Sequence, residues 1–523
     1  MASSPGTLTT MSVPIAGLLF LVTLATRLPF ATSNLWAHDS VLYEHAIARF
    51  DPAAQSPQPP GYLWYVLLAR GVTALTGDAN AAMVLIAAFA SAAAVALLYL
   101  FAARLFDERT ARAAAVLLLT SVTFWGEGAV AYPYTLLAAL TTGCALLFWL
   151  ATGSDRERSA VAAETGTEGA HPAVAAGRSG RSFVLASLAW GLAVGFRTDL
   201  ALFLAPLWLL AAYRVRSRAI VMAATAVVAL AVLGWLAASA IASPDAAGFF
   251  AALAAQGRFV DETYSIAAGG ATALGRNAYD LARYLGRALL AIAPLLALLA
   301  IPAVTRRAFA HRAPTRDRAP LFLALWTLAP LPVYLLVHIG EYGYVFSMLP
   351  GLCVAAARAA AGAGEALRRP ATLAWLAGAA TAVNAGVFLL APAPLTAADL
   401  AKRDHGVDER LAALREMDQA CTVVVTGYDA LIVDRYLRGA LPVLAYGPAE
   451  TPTLARPLAL ALPRCRAGAA AVVLWDDLLR AGSGDWATSV MPRGALLRYA
   501  VVPLTTTLRI RDALTVDVGP DRP

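Results

Sequence analysis

Apolar runs of roughly 15 to 25 residues recur along this chain, and the loops between them alternate between Arg-rich and Arg-poor. Backbone amides in lipid can be satisfied only within a helix or a closed barrel, so runs of this length predict a bundle of membrane helices. The runs lie near 11–31, 80–103, 111–126, 132–152, 182–197, 199–213, 218–242, 287–305, 319–338, 344–361 and 371–391, about eleven spans in all. The shorter apolar segment 62–76 ends at Gly77 and reads as re-entrant or interfacial. Composition agrees: 59% of the residues are hydrophobic and 14% are charged, against about 25% charged in a soluble domain. The formal net charge of +7 would point to nucleic acid in a soluble protein. Here the basic residues sit in short loops between spans, which is a topology signal, and no nucleic-acid partner is expected.

Arg positions set the orientation. Arg104, Arg109 and Arg112; Arg156, Arg158, Arg178 and Arg181; Arg214, Arg216 and Arg218; Arg306, Arg307, Arg312, Arg316 and Arg318; and Arg358, Arg368 and Arg369 fall in alternate loops. By the positive-inside rule these loops and the N-terminus are cytoplasmic. Loops 32–61, 127–131, 243–286 and 339–343, and the tail after Ala391, then face outward from the cytoplasmic membrane. The run from Met11 to Ala31 reads as a retained first span, and 153–181, rich in Gly, Ala, Ser, Thr and Glu, as a flexible connector.

Composition changes again near Thr396. An amphipathic helix (DERLAALREMDQA), a buried strand (CTVVVTG), a helix (YDALIVDRYLRG) and strands at PVLAYG, AAVVLW, LLRYAVV and TTLRI predict a small α/β domain on the outer face. The expected division is therefore 1–391 as the membrane domain, with outer loops 32–61 and 243–286, and 396–523 as the extracytoplasmic domain. Cys421 and Cys465 are the only cysteines of that domain and are expected to pair in an oxidising compartment, whereas Cys144 and Cys353 lie in apolar spans and read as packing. The cysteines lack metal spacing, and His38 with His45 has no third ligand nearby, so no metal site is read there. GSGDWA at 482–487 mimics a dinucleotide fingerprint but follows a predicted helix, and it is taken as chance.

The first polar interruption is WAHDSVLYEHAIARFDPAAQSPQPPGYLWY, from Trp36 to Tyr65. Asp39 and Ser40 can cap a helix with Tyr43, Ala46, Ile47 and Phe50 on one face and Glu44, His45, Arg49 and Asp51 on the rest, lying along the bilayer surface. Pro52 stops it, and Pro57, Pro59, Pro60 and Gly61 turn the chain into a new helix at Tyr62. An acidic residue just beyond the first span, followed by PQPPGYLWYVLL, resembles the first outer loop of membrane glycosyltransferases that use polyprenyl-phosphate sugars. That is the GT-C group containing protein O-mannosyltransferases and lipid A aminoarabinose transferase. The group often has Asp-Glu where this chain has Asp39 and Ser40, and Gln58 precedes the prolines here.

Three further segments carry the resemblance: FWGEGAVAYPYTLL with Glu127, Tyr132 and Tyr134; GFRTDL with Arg197 and Asp199; and HIGEYGYVFSMLPGL with Glu341, Tyr342 and Tyr344. Asp39 and these three segments each have a plainer reading, as helix cap, solvated turn, membrane-depth ion pair and interfacial aromatic belt respectively. Together they imply a polytopic α-helical membrane protein of GT-C-like architecture with the small C-terminal α/β domain. The implied activity is transfer of a hexose or pentose from a polyprenyl-phosphate donor to a glycan, lipid or protein hydroxyl at the outer face. Asp39 would be the general base, Glu127 would orient the acceptor and Arg197 would hold phosphate. Glu44, Tyr62, Tyr132, Tyr134, Asp199, Arg258, Tyr342 and Tyr344 are the substrate-binding candidates, with Asp261, Glu262 and Tyr264 beside Arg258. The lipid phosphate leaves as a stable anion, so no cofactor is required, and a divalent metal stays open. The tail would recognise the acceptor or close the site. The rival readings are a transporter or lipid-linked sugar flippase, which would place ionisable groups near the midplane, and a non-catalytic scaffold whose tail binds a partner.

Overall fold

The computed structural model describes residues 12–152, 172–215, 217–309, 318–426, 429–437, 441, 443–445, 458–461, 465, 468–475, 487–491, 496–503, 507–511 and 514–519. It is mostly helical and divides into two compact units, one formed by Met1–Ala31 with His45–Ala397 and the other by Thr32–Glu44 with Ala398–Pro523.

In the first unit, α1 (Ser12–Arg27) leads through the segment 28–37 to α2 (His38–Ala48), whose first residues belong to the second unit. α3 (Leu63–Thr76), α4 (Ala79–Leu105), α5 (Glu108–Thr120), α6 (Val122–Glu127) and α7 (Tyr134–Ala151) follow. Next come α8 (Pro172–Phe196), α9 (Leu200–Val215), α10 (Arg218–Ala242), α11 (Ala246–Tyr264) and α12 (Ile266–Ala288). α13 (Ala293–Ala297), α14 (Pro302–Phe309), α15 (Ala319–Leu328), α16 (Leu331–Leu336), α17 (Leu349–Ala366) and α18 (Thr372–Leu390) complete it. α4 is the central post and packs against α1, α5 and α7, while α8 lies between α7 and α10.

Six helical segments are long and apolar enough to cross a membrane, or seven if the bent pair at α12 and α13 counts as one, among the described residues. α10 is apolar throughout, yet only 11% of its most apolar window is buried inside the protein, and for α18 the figure is 22%. Helices apolar on every face and open to their surroundings are stable only where the surroundings are lipid. The chain is a multi-pass membrane protein. Two buried cations, Arg27 and Arg358, are held by several partners each. Arg27, at the end of α1, donates from Nε to Ser91 Oγ at 3.2 Å, from Nη1 to Thr26 Oγ1 at 3.0 Å and from Nη2 to the Leu119 carbonyl at 2.7 Å. Arg358 on α17 donates to the Ala308 and Arg307 carbonyls and pairs with Glu365 at 3.0 Å. Such pairing is the condition for a charge at membrane depth.

Several expected spans are broken, and prolines or hydroxyls mark the breaks. The run 287–305 is not one helix: α12 ends at Ala288, Pro294 opens α13 and Pro302 opens α14, with a bend of 103° at the first break. The run 111–126 divides at Ser121, whose hydroxyl donates to the Ala288 carbonyl at 2.7 Å, and 319–338 divides around Pro330 and Pro332. The run 344–361 starts as a 3-10 segment, Tyr342–Ser347, before α17. The segment 243–286 is helical, formed by α11 and by α12, which is kinked at Gly270. Of the expected connector, 153–171 lies outside the described residues, and from Pro172 the chain is already α8.

The second unit contains α19 (Ala397–Glu416) and α20 (Ala430–Leu437) with strands β1 (Thr422–Thr426), β2 (Val443–Ala445), β3 (Leu458–Ala461), β4 (Ala469–Leu474), β5 (Ala487–Val490), β6 (Leu496–Pro503), β7 (Thr507–Arg511) and β8 (Leu514–Gly519). A five-stranded sheet has the order β2-β1-β4-β6-β5, and a three-stranded sheet has the order β3-β8-β7. β1 runs parallel to β2 and β4, whereas β6 is antiparallel to β4 and β5. β1 is buried at all five positions, as the unbroken TVVVT run requires of a central parallel strand. Its Val424 packs with Leu411 and Leu414 of α19, Val433 and Leu437 of α20, and Trp475. Cys421 and Cys465 form a disulfide. The dinucleotide-like stretch falls almost wholly outside the described residues, which resume at Ala487 in β5.

Candidate functional site

The expected residues divide between the two units. Asp39 and Glu44 belong to the second; Tyr62, Glu127, Tyr132, Tyr134, Arg197, Asp199, Arg258, Tyr342 and Tyr344 belong to the first.

In the second unit, Asp39 does not cap α2. The helix begins one residue earlier, at His38, and the Ser40 hydroxyl accepts the Ala37 backbone N–H at 3.3 Å, the reciprocal half of a capping box. Asp39 is half-buried in the first turn. Glu44 is gripped by Arg435 of α20, Nε to Oε2 at 2.5 Å and Nη2 to Oε1 at 2.7 Å.

In the first unit, the GFRTDL segment joins α8 to α9 and places Arg197 in an aromatic clasp. Its guanidinium carbon lies 4.3 Å from the Tyr344 ring centroid and 5.1 Å from that of Tyr134, and its Nε donates to Asp199 Oδ2 at 2.9 Å. Burial works to lower the pKa of this guanidinium. Asp199, Tyr344, Tyr134 and Tyr62 outweigh it and hold the pKa well above its ordinary value, so the cation persists. Asp199 takes the Nε edge, which leaves the Nη pair for an anionic ligand. Two glycines let this clasp close. A Cβ on Gly195 would strike the Trp64 indole, and one on Gly343 would strike the Tyr134 ring.

Tyr344 is held from behind. The Tyr334 hydroxyl donates to its carbonyl at 2.5 Å and contacts Ser347 Oγ at 2.8 Å. His338 lies 5.7 Å from the Tyr344 ring and 4.4 Å from that of Tyr264, and Arg276 stands 5.2 Å from the same Tyr264 ring. Burial first, then Arg197 and Arg276, push the His338 pKa down to about 4, so its imidazole is neutral at pH 7. Tyr132 stacks near Tyr134 at 4.8 Å, which continues the aromatic wall. Tyr62 opens α3 with a left-handed backbone at φ 48°, directly after Gly61 at φ 97° and the prolines of the first loop.

Glu127 closes α6 and is only 3% exposed, with Oε2 lacking a hydrogen-bond partner. Burial first, then the charge of Glu341, raise this carboxyl well above the ordinary range, and it is protonated far beyond the pH of a free glutamate. It is therefore not the solvated turn residue that two flanking glycines suggest. Tyr342 belongs to a neighbouring cationic group: Arg287 lies 5.6 Å from its ring, and Arg283 contacts Tyr284, whose hydroxyl donates to the Gly340 carbonyl at 2.8 Å. Arg258, Asp261 and Glu262 are exposed on α11, outside the clasp. Among the described residues no group of three or more His, Cys, Asp or Glu is placed to hold a metal ion.

Tyr334, His338 and Arg276 were not candidates in the sequence. His338 had one local signal, an isolated histidine just beyond a proline-broken span; Tyr334 and Arg276 had none, and the packing of α12 on α16 is what brings Arg276 and His338 to the same Tyr264 ring.

Residues 57–163 match the profile of the dolichyl-phosphate-mannose-protein mannosyltransferase family. No curated protein matches the chain. Among solved structures, ArnT from Cupriavidus metallidurans bound to undecaprenyl phosphate superposes with a TM-score of 0.52 at 14% identity, over 94% of this chain and 97% of that one. The apo state of the same protein gives 0.50 at 14% identity over the same shares. The chain has the ArnT fold, and with the mannosyltransferase pattern over residues 57–163 this bears out the resemblance to GT-C glycosyltransferases that its outer loops carry.

Proposed function

We propose that this protein transfers a sugar from a polyprenyl-phosphate donor to an acceptor hydroxyl at the outer face of the cytoplasmic membrane, with inversion at the anomeric carbon. The acceptor oxygen attacks C1, the C1–O bond to phosphate breaks, the hydroxyl proton passes to the Asp39 carboxylate, and polyprenyl phosphate departs. Its phosphate leaves as a stable anion, so the step draws on no cofactor. Arg197 is the group for that phosphate: a persistent cation with its Nη edge available, fixed in direction by Tyr134, Tyr344 and Asp199. A protonated Glu127 is suited to donate a hydrogen bond to the acceptor, and Tyr62, Tyr132 and Tyr342 to contact substrate.

The observation that carries the reading is the Arg197 clasp, in a chain with the ArnT fold. Donor and acceptor are identified by comparing lipid-linked sugars and envelope glycans of wild-type and deletion strains by mass spectrometry. Loss of one glycosylated product with accumulation of its polyprenyl-linked sugar is the expected result, restored by the wild-type gene. Unchanged profiles of both pools would contradict a transferase.

A further inference from the structure

The residues before and after Asp39 are tied to α19 and α20, which form the C-terminal part of the same unit, by polar contacts that do not depend on any substrate. Upstream, the Asp404 carboxylate accepts the backbone N–H groups of Ser33, at 2.9 and 3.0 Å, and Asn34, at 2.8 Å. The Asn34 amide donates to the Asp404 carbonyl at 3.2 Å and to Asp408 Oδ1 at 3.0 Å, and the Leu35 N–H donates to the Tyr436 hydroxyl at 2.8 Å. Arg403 lies 4.6 Å from the Trp36 ring. Downstream, Arg435 forks onto both oxygens of Glu44. A bidentate guanidinium–carboxylate pair fixes direction as well as distance, and carboxylate-to-backbone bonds fix the strand of chain that enters the helix. One grip therefore sets where α2 begins and the other sets its rotation, and Asp39 lies between them.

We infer that the C-terminal unit is a positioning module for Asp39, with Arg435 and Asp404 as its positioning residues. This rests on Asp39 being the base. The unit acts on the reaction by holding the first turn of α2 in the orientation that aims this carboxylate, a role distinct from reading the acceptor. Held loosely, the carboxylate loses near-attack geometry, and a misplacement of about 1 Å suffices for a loss on the order of a hundredfold.

The test uses the full-length protein in a deletion strain, with the envelope glycan that the deletion removes as the probe. Its initial rate of reappearance after induction is normalised to inserted protein. Glu44→Arg and Arg435→Glu are each expected to lower the rate at least tenfold, and the exchanged pair Glu44→Arg/Arg435→Glu to recover to within about threefold of wild type. Coupling to Asp39 separates positioning from general stability. On an Asp39→Glu background, where the carboxylate is already displaced, Arg435→Gln should add less than a threefold loss, although it costs tenfold or more alone. Wild-type rates for Arg435→Gln, or losses that multiply fully with Asp39→Glu, would overturn the inference. Failure of the underlying reading is seen separately, as a wild-type rate for Asp39→Asn.

Discussion

Arg197 is the residue whose environment says most about chemistry. Arg197→Lys keeps the charge but gives up the planar fork and its stacking on Tyr134 and Tyr344, so donor use should fall even there, with acceptor dependence little changed. Donor binding and turnover that survive Arg197→Ala in correctly inserted protein would reduce the residue to a partner of Asp199. Glu127 makes a prediction with a sign. Its folded pKa is raised by burial and by Glu341, so its contribution to stability is complete below the unfolded value and is lost as pH rises through the folded one. Glu127→Gln removes that loss. The variant should gain melting temperature over wild type at pH 8 and little at pH 5, while transfer falls; an offset independent of pH would contradict the buried, protonated assignment. The members of the clasp, Arg197, Tyr134 and Tyr344, were legible because each is polar or aromatic within an otherwise apolar chain. Their partners were not. His338 and Arg276 meet across Tyr264 through helices far apart in sequence, and no local pattern encodes that meeting.

At the scale of elements, long apolar runs located most helices and short unbroken β-branched runs located the central strands of the sheet. What they missed has a common cause. Breaks at Ser121, Pro294, Pro302 and Pro330 lie inside runs that remain uniformly apolar, so hydropathy reads straight through them. The segment 243–286, too polar to read as a span, is helical: α12 is strongly amphipathic and folds as a helix beside α16. The cysteine pair was legible from compartment logic alone, and the Cys421–Cys465 disulfide closes a loop with a sequence separation of 44. The chain-entropy relation gives about 4 kcal/mol for such a closure. Cys421→Ser should therefore lower the unfolding midpoint of the C-terminal unit by an amount corresponding to about 2–4 kcal/mol, measured by denaturant titration under non-reducing conditions. An unchanged midpoint would show that the bond contributes nothing.

For the whole molecule, the apolar exterior of α10 and α18 marks membrane helices, and the Arg asymmetry of the loops predicts one orientation for them. Reporter fusions after Gly447 and within 160–175 should respond on opposite sides of the membrane, the first outside and the second inside. The same side for both would refute that topology. The most direct measurement is the initial rate of sugar transfer by purified full-length Asp39→Asn, with the donor and acceptor identified from the deletion strain. This substitution keeps size and hydrogen bonding but removes the proton acceptor. Insertion and melting temperature should match wild type, and the rate should fall by roughly a hundredfold to ten-thousandfold. A variant that is correctly inserted and transfers at the wild-type rate would contradict Asp39 as the base and the mechanism built on it.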